Sequence, residues 1–144
     1  MSEAECAFCR IARGEADDAL VVLEDGATLA FLDHRPLFPG HALLIPRTHV
    51  ETLPDLSDEL LPELFSNARL LARAMEEGLG ADGSFVAINN RVSQSVPHLH
   101  VHVAPRRRKD GLRGFFWPRQ KYESDEQAAD VAAKLRGTVA RLST

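Results

Sequence analysis

The chain has 144 residues, 44% hydrophobic and 26% charged, a balance that suits one domain with its own core and excludes a disordered, collagenous or low-complexity polypeptide. Its formal net charge of -4 excludes a uniformly basic nucleic-acid coat, while a local basic patch stays open. No run approaches the roughly 18 apolar residues of a membrane span, and the acidic start Met1-Ser2-Glu3-Ala4-Glu5 does not read as a secretory signal.

Two cysteines, Cys6 and Cys9, are too close to staple a fold, so the expectation is a cytoplasmic protein with reduced thiols and no membrane association. Val21-Val22-Leu23 and Thr28–Leu32 flank the hairpin turn signal Glu24-Asp25-Gly26. A third apolar run, Ala42–Ile45, lies between Gly40 and Pro46. From Ser57, read as an N-cap, apolar residues recur at Leu60, Leu61, Leu64, Ala68, Leu71, Met75 and Leu79. That is helical spacing, with Gly80 as the stop and Pro62 tolerated near the first turn.

Phe85–Asn89 and His98–Ala104 read as fourth and fifth strands. Pro105–Tyr122 shows no period and reads as a loop. Ser124-Asp125-Glu126-Gln127 resembles a capping box, opening a helix with Ala128, Val131, Leu135, Val139 and Leu142 on one face. The order predicts a single α+β domain over 1–144, with a mainly antiparallel five-stranded sheet, one long central helix and a C-terminal helix. Its core spans about residues 6–105, followed by a basic and aromatic loop and helix over 106–144.

Pro97-His98-Leu99-His100-Val101-His102-Val103-Ala104-Pro105 holds three of the six histidines within five residues. Strand alternation puts His98, His100 and His102 on one face and Leu99, Val101 and Val103 towards the core. Three readings compete: a polar strand face, a three-histidine metal site, and nucleophilic catalysis by imidazole. Ser93-Gln94-Ser95-Val96, just upstream, supplies hydroxyls, a carboxamide and backbone N–H groups suited to a phosphoryl oxygen, which favours the third.

Gln94-Ser95-Val96-Pro97-His98-Leu99-His100-Val101-His102-Val103 resembles the signature of the histidine triad (HIT) family of nucleotide hydrolases and transferases. The likeness continues upstream through Glu24-Asp25, Ala30-Phe31-Leu32-Asp33, Pro39 to Pro46, His49 and Asn89. The resemblance implies a HIT-like fold. It also implies that His100 is the nucleophile, forming a covalent nucleotidyl-histidine that water hydrolyses, with His102 and His41 in support and no catalytic metal. By the same resemblance Ser95 and Gln94 lie around the α-phosphate and leaving group, Asp33 binds the ribose hydroxyls, and Asn89 lies near phosphate and ribose. His34 stands where the family usually has an apolar residue against the base; it would stack there or lie on the surface.

Cys6-Ala7-Phe8-Cys9 has the spacing of half a zinc site, with incidental thiols and a redox pair as alternatives. The resemblance implies His49 and His98 as the other ligands of a structural zinc. Arg106, Arg107, Arg108, Lys109, Arg113, Arg119 and Lys121 read as a solvated loop, a distal-phosphate site or a nucleic-acid contact with Phe115, Phe116 and Trp117. Family resemblance adds a homodimer with Trp117 at the interface or pocket rim. The implied function is hydrolysis or transfer at the α-phosphate of a dinucleoside polyphosphate or nucleoside phosphoramidate. The alternatives are a dinucleoside polyphosphate phosphorylase and a zinc-stabilised nucleotide- or nucleic-acid-binding module with little turnover.

Overall fold

The computed structural model describes residues 2–3, 5–112 and 119–143. Its elements are α1 (Ala7–Ala12), β1 (Val21–Glu24), β2 (Thr28–Leu32), β3 (Ala42–Pro46), a short 3-10 turn (Leu53–Asp55), α2 (Leu60–Leu79), β4 (Gly83–Ala87), β5 (Val101–Arg106) and α3 (Asp125–Leu142). The chain divides into two units, Met1–Asp110 and Gly111–Thr144. The strands form one sheet in the order β1-β2-β3-β5-β4, with every neighbouring pair antiparallel. The expected α+β class and five-stranded sheet are present.

All five residues of β3 are buried, because this central strand is covered on both faces. Ala42 and Leu44 pack with Leu64, Ala68, Leu71 and Met75 of α2 and with Leu99, Val101 and Val103. Leu43 and Ile45 turn to the other face, where Leu29 and Phe31 meet Cys6, Phe8 and Cys9. The two sheet faces therefore carry separate jobs: α2 builds the main core, and α1 closes the side that receives the histidines.

The buried positions of α2 follow the expected period, but Ser57 is not its N-cap. Glu59 holds that position without a side-chain cap, and the Ser57 carbonyl instead accepts from Leu60 N–H at 3.1 Å. At the other end Gly80 takes a left-handed φ of 68°, and Gly80 and Ala81 N–H groups return to the carbonyls of Glu76 and Met75. Arg107 adds two 2.7 Å bonds to the Leu79 and Gly80 carbonyls. Arg106 pairs with Asp110 at 2.6 and 3.0 Å. Two arginines of the basic run thus bond within the fold.

Three boundaries differ from the sequence expectation. α1 falls where only a cysteine pair is apparent, β4 begins two residues before Phe85, and β5 begins at Val101 and continues through Pro105 to Arg106. Pairing explains the strand shifts: Gly83 and Ser84, turn-like in isolation, lie opposite Arg106 and Pro105. In the second unit, Ser124 Oγ accepts from Gln127 N–H at 3.0 Å, while Gln127 Oε1 accepts from Glu123 N–H at 2.6 Å. This is the expected cap with its return bond moved one residue upstream. No helix among the described residues is long and apolar enough to cross a membrane.

Candidate functional site

Alternation places the triad, though only its last member lies inside β5. Leu99, Val101 and Val103 are fully buried towards α2; His102 pairs with Leu43 and shares its face, the one covered by α1. Backbone bonds outside the strand ladder help hold the preceding residues: His98 N–H donates to the Val96 carbonyl at 2.8 Å and Leu99 N–H to the Val50 carbonyl at 2.6 Å.

His100 is 4% exposed, with the Phe8 ring edge-on at 5.1 Å and the His102 ring at 5.0 Å. His100 Nδ1 lies 2.7 Å from the His98 carbonyl oxygen. A carbonyl only accepts, so Nδ1 carries the proton and Nε2 keeps a free lone pair. Burial lowers His100 below its usual range, against smaller raising effects of that carbonyl and Asp33. His102 falls to about 4 through burial and then the neighbouring imidazoles of His100 and His41. These imidazoles are neutral at pH 7, the state a nucleophile requires.

His41 Nε2 lies 3.0 Å from His102 Nδ1, and its Nδ1 accepts from Leu37 N–H at 3.0 Å. Burial lowers His41 also, partly offset by Asp33. Asp33 Oδ1 accepts from Arg35 N–H at 2.9 Å, and Oδ2 lies 3.9 Å from His41 Nδ1. A cleft of about 570 Å³ opens beside His100 and His102, lined also by Phe8 and Ile11 of α1, by Leu32, Asp33 and His34, and by Ser95 and Val96. His34 is exposed within it.

Gln94 and Asn89 do not line that cleft. Gln94 Oε1 accepts from Arg91 N–H at 2.8 Å and its Nε2 donates to the Glu51 carbonyl at 2.6 Å. These bonds brace a loop in which Arg91 and Ser93 both have positive φ, 70° and 62°, just before Ser95. Asn89 is exposed, whereas neighbouring Asn90 accepts from Leu53 N–H at 2.8 Å. Trp117, like Phe115 and Phe116, lies outside the described residues. Phe8 and Ile11 escape a reading of the sequence as site residues; their one signal is their place within and just after the cysteine pair.

The second cluster joins Cys6, Cys9, His49 and His98, whose donor atoms lie within 4.8 Å of one another. Cys9 Sγ is 3.2 Å from His49 Nδ1, and His98 Nδ1 is 3.4 and 3.5 Å from the two sulfurs. His98 Nε2 donates to the Pro46 carbonyl at 2.9 Å, leaving Nδ1 as a lone pair aimed at the thiols. Burial first, then Cys6, pushes the Cys9 thiol up to about 11. Two sulfurs and two imidazoles, one fixed by a backbone carbonyl, are compatible with a structural zinc. Asp33, His41 and His102 also gather within 4.8 Å, but there the facing imidazole nitrogens are spent on each other.

Residues 13–109 match the HIT domain family. The chain belongs to the HIT family. It is 36% identical over 142 residues to adenosine 5'-monophosphoramidase HNT1 of Saccharomyces cerevisiae, covering 94% of this chain and 86% of that one. It is 31% identical over 139 residues to adenylylsulfatase HINT3 of Arabidopsis thaliana, covering 92% and 68%. A Zn-bound histidine triad protein from Mycobacterium smegmatis superposes with a TM-score of 0.72 at 36% identity, covering 97% of this chain and 99% of the other.

Proposed function

We propose that this HIT protein is a nucleotide hydrolase acting at the α-phosphate of a nucleoside phosphoramidate or dinucleoside polyphosphate. The observation that carries the reading is the 2.7 Å bond from His100 Nδ1–H to the His98 carbonyl, which leaves the His100 Nε2 lone pair as the nucleophile. Attack forms an N–P bond and breaks the bond from phosphorus to the leaving group, which departs as an amine after taking a proton from solvent, or as the remaining nucleoside polyphosphate. Water then breaks the N–P bond, releasing nucleoside monophosphate and regenerating the imidazole. Dividing one displacement into two lowers each barrier.

His102, backed by His41 through their 3.0 Å contact, supports the phosphoryl oxygens, Ser95 lies beside it, and Asp33 accepts from the ribose hydroxyls. Phe8, Ile11 and Leu32 offer apolar walls to the base, with His34 at the edge. Gln94 serves through the loop that positions Ser95. The relatives named as a monophosphoramidase and an adenylylsulfatase support hydrolase chemistry on adenylyl compounds with different leaving groups.

Cys6, Cys9, His49 and His98 would hold the zinc. When bound, that ion supplies a structural cross-link between α1 and the strand entry, and the reaction steps stay with His100. The chain assembles as a homodimer in this reading, supported by the exposed Leu135, Val139 and Leu142 of α3. Elution as a monomer at micromolar concentration refutes that part.

The test is a product assay on wild type and His100→Ala. Substrates are adenosine 5'-phosphoramidate, diadenosine tri- and tetraphosphate and a guanosine analogue, each with and without phosphate. Nucleoside monophosphate release by wild type alone supports the reading. Phosphate-dependent release of a nucleoside diphosphate would make it a phosphorylase, and equal activity in both proteins would overturn the role of His100.

A further inference from the structure

His100 and His102 both line the cleft but face it with opposite polarity, and a backbone amide decides it. Leu37 N–H lies 3.0 Å from His41 Nδ1. An amide N–H only donates, so Nδ1 is the unprotonated nitrogen and the neutral ring carries its proton on Nε2. That proton points along the 3.0 Å contact to His102 Nδ1. His102 Nδ1 is therefore an acceptor, and the His102 proton sits on Nε2. His100 is set the other way by the His98 carbonyl.

We propose that the Leu37 backbone amide is a positioning group that locks His41 and His102 in one tautomeric register, so that His102 presents a neutral Nε2–H to a phosphoryl oxygen while His100 presents a lone pair to phosphorus. This rests on the hydrolase reading given above. No proton is transferred: the His102 N–H stabilises developing charge as a fixed dipole, which costs no reorganisation as charge builds.

Asp33 shows why the lock is needed. Its Oδ2 stands 3.9 Å from His41 Nδ1, and a carboxylate favours an N–H facing it. With the Leu37 amide gone, His41 takes its proton on Nδ1, towards Asp33, and its Nε2 becomes an acceptor. His102 must then donate from Nδ1, and its Nε2 turns a lone pair on the phosphoryl oxygen. The amide is held over His41 by a closed loop: Asp33 N–H donates to the His41 carbonyl at 2.9 Å and His41 N–H to the Phe38 carbonyl at 3.0 Å. Gly40 closes it with φ +106°, where an added Cβ would stand 2.6 Å from Leu79 Cδ1. The Leu37 side chain is 47% exposed, so the position matters through its backbone.

The experiment has two arms. On wild type, long-range proton–nitrogen correlation spectra of ¹⁵N-histidine protein assign each ring's tautomer; His41 and His102 should both be Nε2–H, and His100 Nδ1–H. A His41 or His102 ring protonated on Nδ1 overturns the proposal, whether or not any variant folds. In the second arm Leu37→Pro, which lacks the N–H, is compared with Leu37→Ala, which loses the same side chain but keeps it. The probes are the two phosphorus epimers of adenosine 5'-thiophosphoramidate and the oxygen parent. Relative to Leu37→Ala, Leu37→Pro should lose kcat by about a hundredfold with KM within about twofold, as when one fixed donor to a phosphoryl oxygen is removed, and should lose its preference between the epimers. Equal kcat and equal epimer preference in the pair overturn the proposal. Turnover of no probe by wild type would instead defeat the hydrolase reading, and the nitrogen spectra alone would still decide the tautomers.

Discussion

Replacing Phe8 tests whether α1 is part of the active site. The ring is 8% exposed, stands edge-on to Phe31 at 5.3 Å and to His100 at 5.1 Å, and approaches His98 at 6.0 Å. Truncating a buried Phe to Ala costs about 3–5 kcal/mol. Because Phe8 also borders the cleft, water can enter the vacated space, and the lower end, about 3 kcal/mol, is expected. For a chain of this size that lowers Tm by roughly 10 °C. Loss of the edge contact, at about 0.5–1.5 kcal/mol, also loosens the His100 ring, which should reduce kcat roughly two- to tenfold. Phe8→Leu restores most of the volume, within about 1.5 kcal/mol of wild type, without restoring the edge contact. Thermal unfolding followed by circular dichroism and nucleoside monophosphate release measure the two effects. A Phe8→Ala loss under about 1 kcal/mol with unchanged kcat would refute the packing of α1 against the nucleophile.

Three further outcomes are expected. Wild type purified without chelator should carry about one equivalent of zinc, and Cys9→Ala should carry only background metal by mass spectrometry; equal zinc in both would contradict the four-residue site. The His102 pKa lies below its ordinary value, at about 4, so its neutral form contributes stability that is fully present above the unfolded value and lost as pH falls from there through the folded value. Wild-type Tm should therefore drop on acidification below about pH 6.5, more steeply than that of His102→Asn; parallel profiles would argue against this assignment. Gln94→Ala should lower stability by about 1–2 kcal/mol through two lost bonds to backbone; a raised KM with unchanged Tm would place its side chain on substrate instead.

Long periodic segments were legible from residue order alone. Leu64, Ala68, Leu71 and Met75 recur at helical spacing within a 20-residue helix, and the run Ala42–Ile45 reads as a buried strand because β3 has cover on both faces. The six residues of α1 are too few to show a period, and its formation draws on the packing of Phe8 and Cys9 against the sheet. Gly83 and Ser84 look like a turn until β5 supplies their partners.

The candidate site divides the same way. His98, His100 and His102 announce themselves by alternation, and Cys6, Cys9, His49 and His98 bring their donor atoms within 4.8 Å of one another. What order could not show is how each ring is protonated, because the deciding groups are the Leu37 amide and the His98 and Pro46 carbonyls. Backbone groups are common to every residue and leave no mark in composition. Gln94 is read from the resemblance as lying around the α-phosphate and leaving group, while its two bonds go to Arg91 and Glu51; a carboxamide can serve a phosphate or a loop brace, and residue order does not separate the two.

Trapping the covalent intermediate tests His100 as the nucleophile. Wild type and His100→Ala would be mixed with adenosine 5'-phosphoramidate under single-turnover conditions, quenched in alkaline denaturant to preserve the N–P bond, digested and analysed by mass spectrometry. An adenylyl group should appear on His100 of wild type before AMP, decay as AMP forms, and be absent from the variant. AMP formation by wild type with an adenylyl group on a different residue, or by His100→Ala at an undiminished rate, would contradict it.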